Sequence, residues 1–303
     1  MLLHLVSCET PYDLDQLADN DIIVLDCIMI PGDTTFVNAR AAIPVGDYGE
    51  RTPVSDIDVT LSLDGEEIPA QVEDRPYFVV DLEPGQKVGI KAEASGVDPV
   101  YSEVVVPRSS FGNRFETVGR DDDMFDIIEL KPGNGVQEGE YLGVETSSEI
   151  TIEYYSDSQL DSVVTFPTVS YLMPGVEAGT VDDSLFGDPD KIFLPSVLIR
   201  GRSVYMISDI GDGRKFRVPN DRVTELEYYN PETGVKYKVI STQKVSVRFW
   251  TISEEVYKYV VKYGNSFSEM GLTSPSYVYT NIRGGAGIFG VAVPDPSGWQ
   301  TLD

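Results

Sequence analysis

Between Ile22 and Pro107 the chain consists of short runs in which apolar and polar residues alternate. The runs are separated by turn sequences such as Asp64-Gly65 and Glu83-Pro84-Gly85. Alternation with a period of two, rich in Val, Ile, Thr and Tyr, is typical of half-buried strands. Turn signals that recur about every eight to twelve residues are typical of antiparallel sandwiches. The sequence therefore predicts an immunoglobulin-like β-sandwich over residues 22–107.

A second strand-rich region is predicted from residue 120 to residue 303. It contains the runs MFDIIEL, EITIEYYS, SVVTFPTVSYL, SVLIRGRSVYMIS, VTELEYYN and YKVISTQKVSVRFWTI. Residues 108–119 have no apolar period and include Ser109-Ser110 and Gly112-Asn113, which predicts a linker between the two domains. The chain is thus expected to be mainly β, with two domains, which a length of 303 residues allows.

One short helix is predicted near residues 254–263, inside the second domain. Ser253 is a favoured residue for the N-cap, and Glu254 and Glu255 suit the positive end of the helix dipole. The run VYKYVV supplies an apolar stripe, and Gly264 is predicted to end the helix. The second domain is therefore expected to be a mostly antiparallel β domain with this helix against its sheet.

The residue types in the chain argue against several kinds of chemistry. His4 is the only histidine, and Cys8 and Cys27 are the only cysteines, which leaves no basis for a Ser-His-Asp triad or a zinc cluster. The formal charge is −27, from 23 basic and 50 acidic residues. Such a charge disfavours nucleic acid, because phosphates are held by clustered Lys and Arg. Any chemistry would have to come from carboxylates, Lys, Tyr or Ser. We expect no catalytic residues, no cofactor, no metal site and no nucleic-acid partner.

The opening stretch MLLHLVSCETPYDLD contains a sequence similar to a bacterial lipobox. In Leu5-Val6-Ser7-Cys8 an apolar residue stands three positions before the cysteine and a small residue directly before it. The apolar run is shorter than the roughly 7–15 residues of a complete signal peptide. Residues 1–21 are accordingly expected to be a partial lipoprotein signal and an acidic tether, with a lipid on Cys8 that anchors the chain to a membrane. The alternative is an edge strand with Cys8 buried.

The stretch NIRGGAGIFG, from Asn281 to Gly290, contains the glycine spacing of a dinucleotide-binding loop. Such a loop needs a helix directly after it and then a further strand, and the prolines in the short remaining sequence leave no room for them. The glycines are instead predicted to allow positive φ or close backbone contact in a bent strand. Ile288 and Phe289 are expected in the core, and Asn281 is expected to bind a neighbouring turn.

A long acidic segment extends from Met173 to Pro195 and is more apolar than a plain linker. It is predicted to be either a partner-facing loop or a simple surface excursion. If it faces a partner, the candidate contact residues are Asp182, Asp183, Leu185 and Phe186.

Tyrosine pairs occur at Tyr154-Tyr155 and Tyr228-Tyr229, within predicted strands. One interpretation is that these rings line a surface on which carbohydrate stacks. Because neighbouring side chains of a strand point to opposite faces, the favoured interpretation is that one ring of each pair lies in the core and the other in solvent.

The carboxy-terminal sequence VSVRFWTISEEVYKYVVKYGNSF…SPSYVYTNIRGGAGIFG resembles the signature of an uncharacterised family of Bacteroidetes lipoproteins, the domain of unknown function 4249. The matching positions are Ser253, Tyr257, Tyr259, Pro275, Tyr279, Asn281, Ile282, Gly285, Gly287, Phe289 and Gly290. Thr280 and Arg283 depart from the family pattern, in which serine and an acidic residue are common. The segment DDSLFGD is also similar to part of that family. The motif from Asn281 to Gly290 is predicted to be structural.

The resemblance implies a lipid-anchored protein at the outer membrane, exposed on the cell surface. It further implies a non-enzymatic accessory or ligand-capture subunit of a TonB-dependent uptake system, with the transporter as partner. One alternative is an adhesin or structural surface protein. A second is a hydrolase that uses two facing carboxylates.

Overall fold

The computed structural model describes residues 22–41, 57–109, 111–121, 125–133, 141–168, 173–174, 196–199, 202–207, 215–219, 223–268 and 279–302. Over these ranges the protein is mainly β, as predicted from the alternating runs. The chain forms two compact units. The first comprises Met1–Val106 and Ser253–Val291, and the second comprises Pro107–Ile252 and Ala292–Asp303.

The first unit contains nine strands from the amino-terminal half and one helix. These elements are β1 (Ile23–Met29), β2 (Thr34–Phe36), β3 (Asn38–Ala41), β4 (Ile57–Leu63), β5 (Glu66–Pro69), β6 (Gln71–Val72), β7 (Pro76–Val79), β8 (Lys87–Ala94), β9 (Val97–Val105) and α1 (Glu254–Ser268). An antiparallel sheet has the strand order β5-β4-β8-β9, and a smaller one has the order β2-β7-β6.

The turn between β4 and β5 follows from its two residues. Asp64 and Gly65 both have positive φ, 50° and 91°, and they connect Leu63 directly to its partner Glu66. Two consecutive residues with positive φ give the tight hairpin turn for which Asp-Gly is a preferred sequence. The prediction of a turn at this dipeptide is confirmed.

The second unit contains the remaining strands. These are β10 (Arg114–Asp121), β11 (Phe125–Lys131), β12 (Tyr141–Ser156), β13 (Gln159–Thr168), β14 (Met173–Pro174), β15 (Ser196–Ile199), β16 (Arg202–Ile207), β17 (Lys215–Pro219), β18 (Val223–Tyr229), β19 (Lys236–Ile252), β20 (Ala286–Pro294) and β21 (Gln300–Thr301). One sheet has the order β10-β11-β17-β14, and another contains the run β15-β16-β12-β19. β20 spans the division between the units, which falls after Val291.

The core of the second unit brings side chains from these two sheets together. Its members are Phe115, Ile128, Leu130, Leu142, Val144, Tyr205, Ile207, Phe216, Val218, Val247 and Phe249. The Phe115 ring lies 5.7 Å from that of Phe216 and 5.1 Å from that of Phe249, measured between centroids. Aromatic rings at such distances pack favourably in tilted or edge-on geometry.

The division into units differs from the predicted domain boundaries. The sequence places everything from residue 120 onward in one domain, whereas α1 and the first part of β20 belong to the first unit. The reason is that β20 pairs in parallel with β1, from Val24 opposite Ala286 to Met29 opposite Val291. Pairing between segments so far apart in sequence has no local signal.

The predicted linker over residues 108–119 is also corrected. Residues from Arg114 onward lie in β10, which pairs with β11 between Arg114 opposite Lys131 and Asp121 opposite Phe125. Of the β10 side chains whose burial is described, Arg114 to Arg120, only that of Phe115 is buried. The run RFETVGRD has almost no apolar alternation and therefore carries no strand signal.

The helix begins where it was predicted, at Glu254, but the prediction that Gly264 ends it is wrong, because α1 continues to Ser268. A glycine inside a helix costs only about 0.5–1 kcal/mol relative to alanine, which does not by itself end one. Ser253 lies directly before the helix and exchanges two hydrogen bonds with Val291. Its N–H donates to the Val291 carbonyl at 2.9 Å, and its Oγ accepts from the Val291 N–H at 3.2 Å.

Cys27 lies on β1, whose side chains alternate between buried and half-buried, and its own side chain is 2% exposed. Burial, with the negative charge of Asp26 in addition, raises the pKa of its thiol from 9.0 to about 12. The folded chain therefore keeps this proton at pH values where the unfolded chain loses it. Stability must fall as pH rises through the window from about 9 to about 12.

Replacing Cys27 by alanine is expected to remove that part of the pH dependence. At pH 8 the variant is less stable than the wild type, because it leaves a small cavity. The difference in free energy of unfolding between wild type and variant is expected to shrink by up to about 1.4 kcal/mol per pH unit above pH 9. Urea unfolding of both proteins at several pH values measures this, and parallel pH profiles would contradict it.

Candidate functional site

Two strands of the second unit extend well beyond the core to which they contribute. β12 and β19 pair along their whole lengths, from Tyr141 opposite Ile252 to Ser156 opposite Tyr237. Their buried ends contribute to the core, and burial stops at Ser148 and Val245, which are 2% and 1% exposed. Beyond that point no side chain of either strand is buried. The two strands thus continue past the core as an exposed antiparallel ladder.

An outer strand flanks this ladder on each side. β13 pairs with β12 from Ser148 opposite Thr168 to Ser156 opposite Gln159, and β18 pairs with β19 from Val223 opposite Thr242 to Tyr229 opposite Lys236. Among the described strands, neither β13 nor β18 has a second partner. Residues 149–168 and 223–244 are called the sheet extension below.

One face of the sheet extension is largely apolar, although the strand registers also place Ser162, Ser241 and Gln243 on it. Its apolar side chains are called the apolar face: Ile150, Ile152, Tyr154, Val164, Phe166, Leu226, Tyr228, Tyr237 and Val239. Leu226 is 63% exposed, Tyr228 57% and Val164 48%. The Tyr228 and Tyr237 rings stack with centroids 4.9 Å apart. Large apolar side chains are normally buried, so the exposure of five of these, Tyr154, Val164, Phe166, Leu226 and Tyr228, is informative.

The opposite face of the sheet extension is more polar. Lys238 forms an ion pair with Glu225, and the hydroxyls of Thr151 and Thr165 lie 3.0 Å apart. The Tyr155 hydroxyl donates to Glu153 at 2.5 Å, and this hydrogen bond to Glu153 raises the pKa of the tyrosine. This face pairs several of its polar groups internally, although it also carries the exposed side chains of Leu160, Val163 and Tyr229.

The two tyrosine pairs lie within the sheet extension. The prediction of one core ring in each pair is wrong for Tyr228-Tyr229. Tyr228 and Tyr229 are 57% and 58% exposed. In the other pair, Tyr154 is 40% exposed and Tyr155 is half-buried. Alternation assigns the rings to opposite faces correctly, but it assumes that one face meets a core. In the sheet extension neither face does.

The size of the apolar face fits a binding surface. The sheet extension has four strands spaced about 4.8 Å apart, each about seven residues long at about 3.4 Å per residue. One of its faces therefore covers roughly 450 Å². The largest apolar patch on a typical monomer measures about 300–600 Å² and is often functional. The sequence contained the signal, since EITIEYYS, SVVTFP and VTELEYY all alternate, but alternation alone does not show which strands extend past a core.

The predicted motif from Asn281 to Gly290 lies around β20 and makes internal contacts. Asn281 donates from Nδ2 to the Phe289 carbonyl at 2.7 Å and accepts the Phe289 N–H at 2.9 Å. The side chains of Ile282 and Phe289 are 4% and 0% exposed.

The motif glycines lie where there is little room for a side chain. A Cβ would come within 2.3 Å of the Ile23 carbonyl oxygen at Gly285 and within 2.2 Å of the Leu25 carbonyl oxygen at Gly287. At Gly290 it would lie 2.1 Å from Val256 Cγ2 of the helix. These residues hold β20 against its neighbours and offer no group to a ligand.

The other predicted site residues lie outside the described part of the chain. They are the lipidation candidate Cys8 and the loop candidates Asp182, Asp183, Leu185 and Phe186. Within the described ranges, no three His, Cys, Asp or Glu side chains are grouped as metal ligands. None of the described helical residues forms a segment long and apolar enough to cross a bilayer.

Comparison with known protein families gives a match over most of the chain. The model of a family described as a domain of unknown function, DUF4249, matches residues 9–295. No curated protein matches the chain significantly. Because the family model extends over almost the entire sequence, this protein belongs to the DUF4249 family.

Proposed function

We propose that the protein is a non-catalytic, lipid-anchored surface subunit that binds another protein, and that the partner is a TonB-dependent transporter of the outer membrane. The observation on which this rests is the exposed apolar face of the sheet extension. A flat apolar surface of roughly 450 Å² supplies about half of the ~800 Å² that each partner contributes to a stable interface. The edges of β13 and β18 that no described strand covers can supply further contacts by backbone pairing.

The charges around the apolar face favour a basic partner over a second copy of this chain. Acidic residues outnumber basic ones on the sheet extension, with Glu149, Glu153, Asp157, Asp161, Glu225, Glu227 and Glu232 against Lys236, Lys238 and Lys244, and the whole chain has a net charge of −27. Two copies joined through this face would bring like charges together, which opposes association. A partner with an apolar centre and a rim of Lys and Arg would be attracted instead.

The amino-terminal sequence supports the location. A lipid on Cys8 would hold the chain at the membrane in which such a transporter lies, and anchoring raises the effective concentration of one partner near the other. An accessory or capture role follows from this proximity and requires no chemistry from the chain itself.

The test is co-purification from the native host. The full chain is tagged, outer membranes are solubilised gently, and the proteins that co-purify are identified and quantified by mass spectrometry. Val164→Lys and Leu226→Lys each place a charge in the apolar face. Each is expected to lower recovery of the transporter at least about thirtyfold, because a charge in a desolvated interface costs about 2 kcal/mol or more.

Thr165→Lys is the matched control. Thr165 follows Val164 on the same strand but points to the polar face, so the same new side chain should leave recovery unchanged. Loss of the transporter in all three variants would point to general damage and contradict the proposal. Recovery of the chain only with itself would instead support the adhesin or structural alternative.

A further inference from the structure

The first unit contains a groove on the outer face of the sheet β5-β4-β8-β9. Its volume is about 300 Å³, and it is lined by hydroxyls of Thr60 and Ser62 together with charged side chains. Ligand pockets usually measure about 300–1,000 Å³. This groove therefore suits a small ligand of one or two rings.

The groove is lined by equal numbers of acidic and basic side chains. Glu67 and Glu103 are acidic, and Lys91 and Arg283 are basic. A ligand with a net negative charge would face the two carboxylates, and a ligand with a net positive charge would face the two cations. A neutral ligand that both donates and accepts hydrogen bonds meets complementary groups on every side.

Two of these charges are already neutralised by their neighbours. Lys91 Nζ lies 2.7 Å from Glu93 Oε1, and Lys87 Nζ lies 2.9 Å from Glu103 Oε1. Because these pairs are exposed, a further charged group would gain little from them. Their remaining donors and acceptors are exposed and suit the hydroxyl groups of a ligand, which both donate and accept.

Arg283 is held at the rim of the groove by its backbone. Its N–H donates to the Tyr101 carbonyl at 2.8 Å, and its carbonyl accepts the Tyr101 N–H at 3.1 Å. Gly284, with φ of 80°, follows directly, and a Cβ there would lie 3.0 Å from the Pro99 carbonyl oxygen. Because Gly284 packs this closely against Pro99, it fixes the backbone position from which the Arg283 side chain extends. Among the described residues, no ion pair occupies that guanidinium.

The floor and wall of the groove complete the arrangement. Gly89 contributes no side chain, and a Cβ at this position would meet only ordinary contacts of 3.5 Å and longer. The Tyr101 side chain, on the next strand, is 49% exposed and presents an apolar ring beside polar groups. An aromatic ring next to several hydrogen-bonding groups is suited to a ligand with both CH and OH surfaces.

We propose that this groove binds a neutral saccharide, with the Tyr101 ring against its CH face and Arg283, Lys91, Glu67 and Glu103 as hydrogen-bond partners of its hydroxyls. The proposal goes beyond partner binding by the sheet extension. It concerns different residues, in the other unit, and has its own readout, so either proposal can fail while the other stands.

The test uses saturation-transfer NMR on the full chain with neutral mono-, di- and trisaccharides of glucose, galactose, mannose and xylose. Glucuronic acid, glucosamine and glutamine serve as acidic, basic and zwitterionic comparisons. At least one neutral saccharide is expected to bind, and the charged compounds are expected to bind more weakly. No transfer to any neutral saccharide, or preference for a charged compound, would overturn the proposal.

Two variants then locate the binding in the groove. Gly89→Val fills the floor without a backbone clash and suits a strand, so it should fold normally and weaken binding at least about tenfold. Tyr101→Ala removes the ring and should weaken binding similarly. Val105→Thr changes an exposed residue of the same strand outside the groove and should have no effect. Unchanged affinity in Gly89→Val would place any binding elsewhere and overturn the assignment.

Discussion

Replacing Gly287 by alanine is expected to lower the free energy of unfolding by more than about 3 kcal/mol. Two effects combine at this position. Its φ is 109°, where a side chain strains the backbone, and the new Cβ would lie 2.2 Å from the Leu25 carbonyl oxygen. The obstructing atom belongs to the backbone of β1, which pairs with β20 at this residue. It cannot move without opening the parallel ladder.

Gly85→Ala separates the two effects. Gly85 also has a positive φ, 81°, but a Cβ there meets nothing within 4 Å. This variant should lose only about 1–2 kcal/mol, which is the cost of the left-handed conformation alone. Thermal and urea unfolding of both variants, followed by far-UV circular dichroism, measures the difference. Equal losses would show that contact with β1 is not what requires glycine at 287.

Replacing Asn281 by aspartate is expected to cost about 2–3 kcal/mol at neutral pH. The change keeps an acceptor for the Phe289 N–H, at 2.9 Å, but it exchanges the donor amide for a carboxylate oxygen. That oxygen would face the Phe289 carbonyl oxygen, which the amide of Asn281 now approaches to 2.7 Å. A lost hydrogen bond is thereby replaced by repulsion.

The pH dependence of this variant has a defined sign. Repulsion of the charged form raises the pKa of the new carboxyl above its value in the unfolded chain. The destabilisation relative to wild type is therefore full above that raised pKa, and it shrinks as pH falls and the carboxyl regains a proton to donate. Urea unfolding of both proteins between pH 4 and pH 7 would reveal it.

Asn230→Asp is the matched control for Asn281→Asp. Asn230 uses only its carbonyl oxygen Oδ1, which accepts the Glu232 N–H at 2.9 Å and the Thr233 N–H at 3.4 Å. A carboxylate can take over both bonds, so this change should alter stability by less than about 0.5 kcal/mol. A similar loss in both variants would mean that the amide donor of Asn281 is not the group that matters.

Local signals predicted the parts of this fold that depend on neighbouring residues. β8 shows alternating burial because its sequence, KVGIKAEA, alternates, and Asp64-Gly65 forms a tight turn because both residues tolerate positive φ. The start of α1 at Glu254 was predicted from Ser253 and the acidic first turn. Each of these features follows from preferences of a few adjacent residues.

The features that were not predicted depend on distant residues. Glycine is required at position 287 because the Leu25 carbonyl oxygen leaves no room for a Cβ there. No rule of sequence spacing connects these two residues. Whether Leu226 and Tyr228 face a core or solvent depends on where the opposing sheet of the second unit ends. The groove beside Arg283 exists because that residue pairs with Tyr101 through an isolated bridge. Candidate sites of this kind require the fold before they can be recognised.

The pairing of β1 with β20 determines when the first unit can be completed during synthesis. β1 leaves the ribosome well before its parallel partner, which begins at Ala286. The residues between β1 and β20 must therefore be made before the edge of β1 is covered on that side. Contacts of such long sequence separation form slowly, and an uncovered strand edge invites association with other chains. We expect nascent chains that stop before residue 286 to need a chaperone, and the emergence of β20 to be the step that commits this unit to its fold.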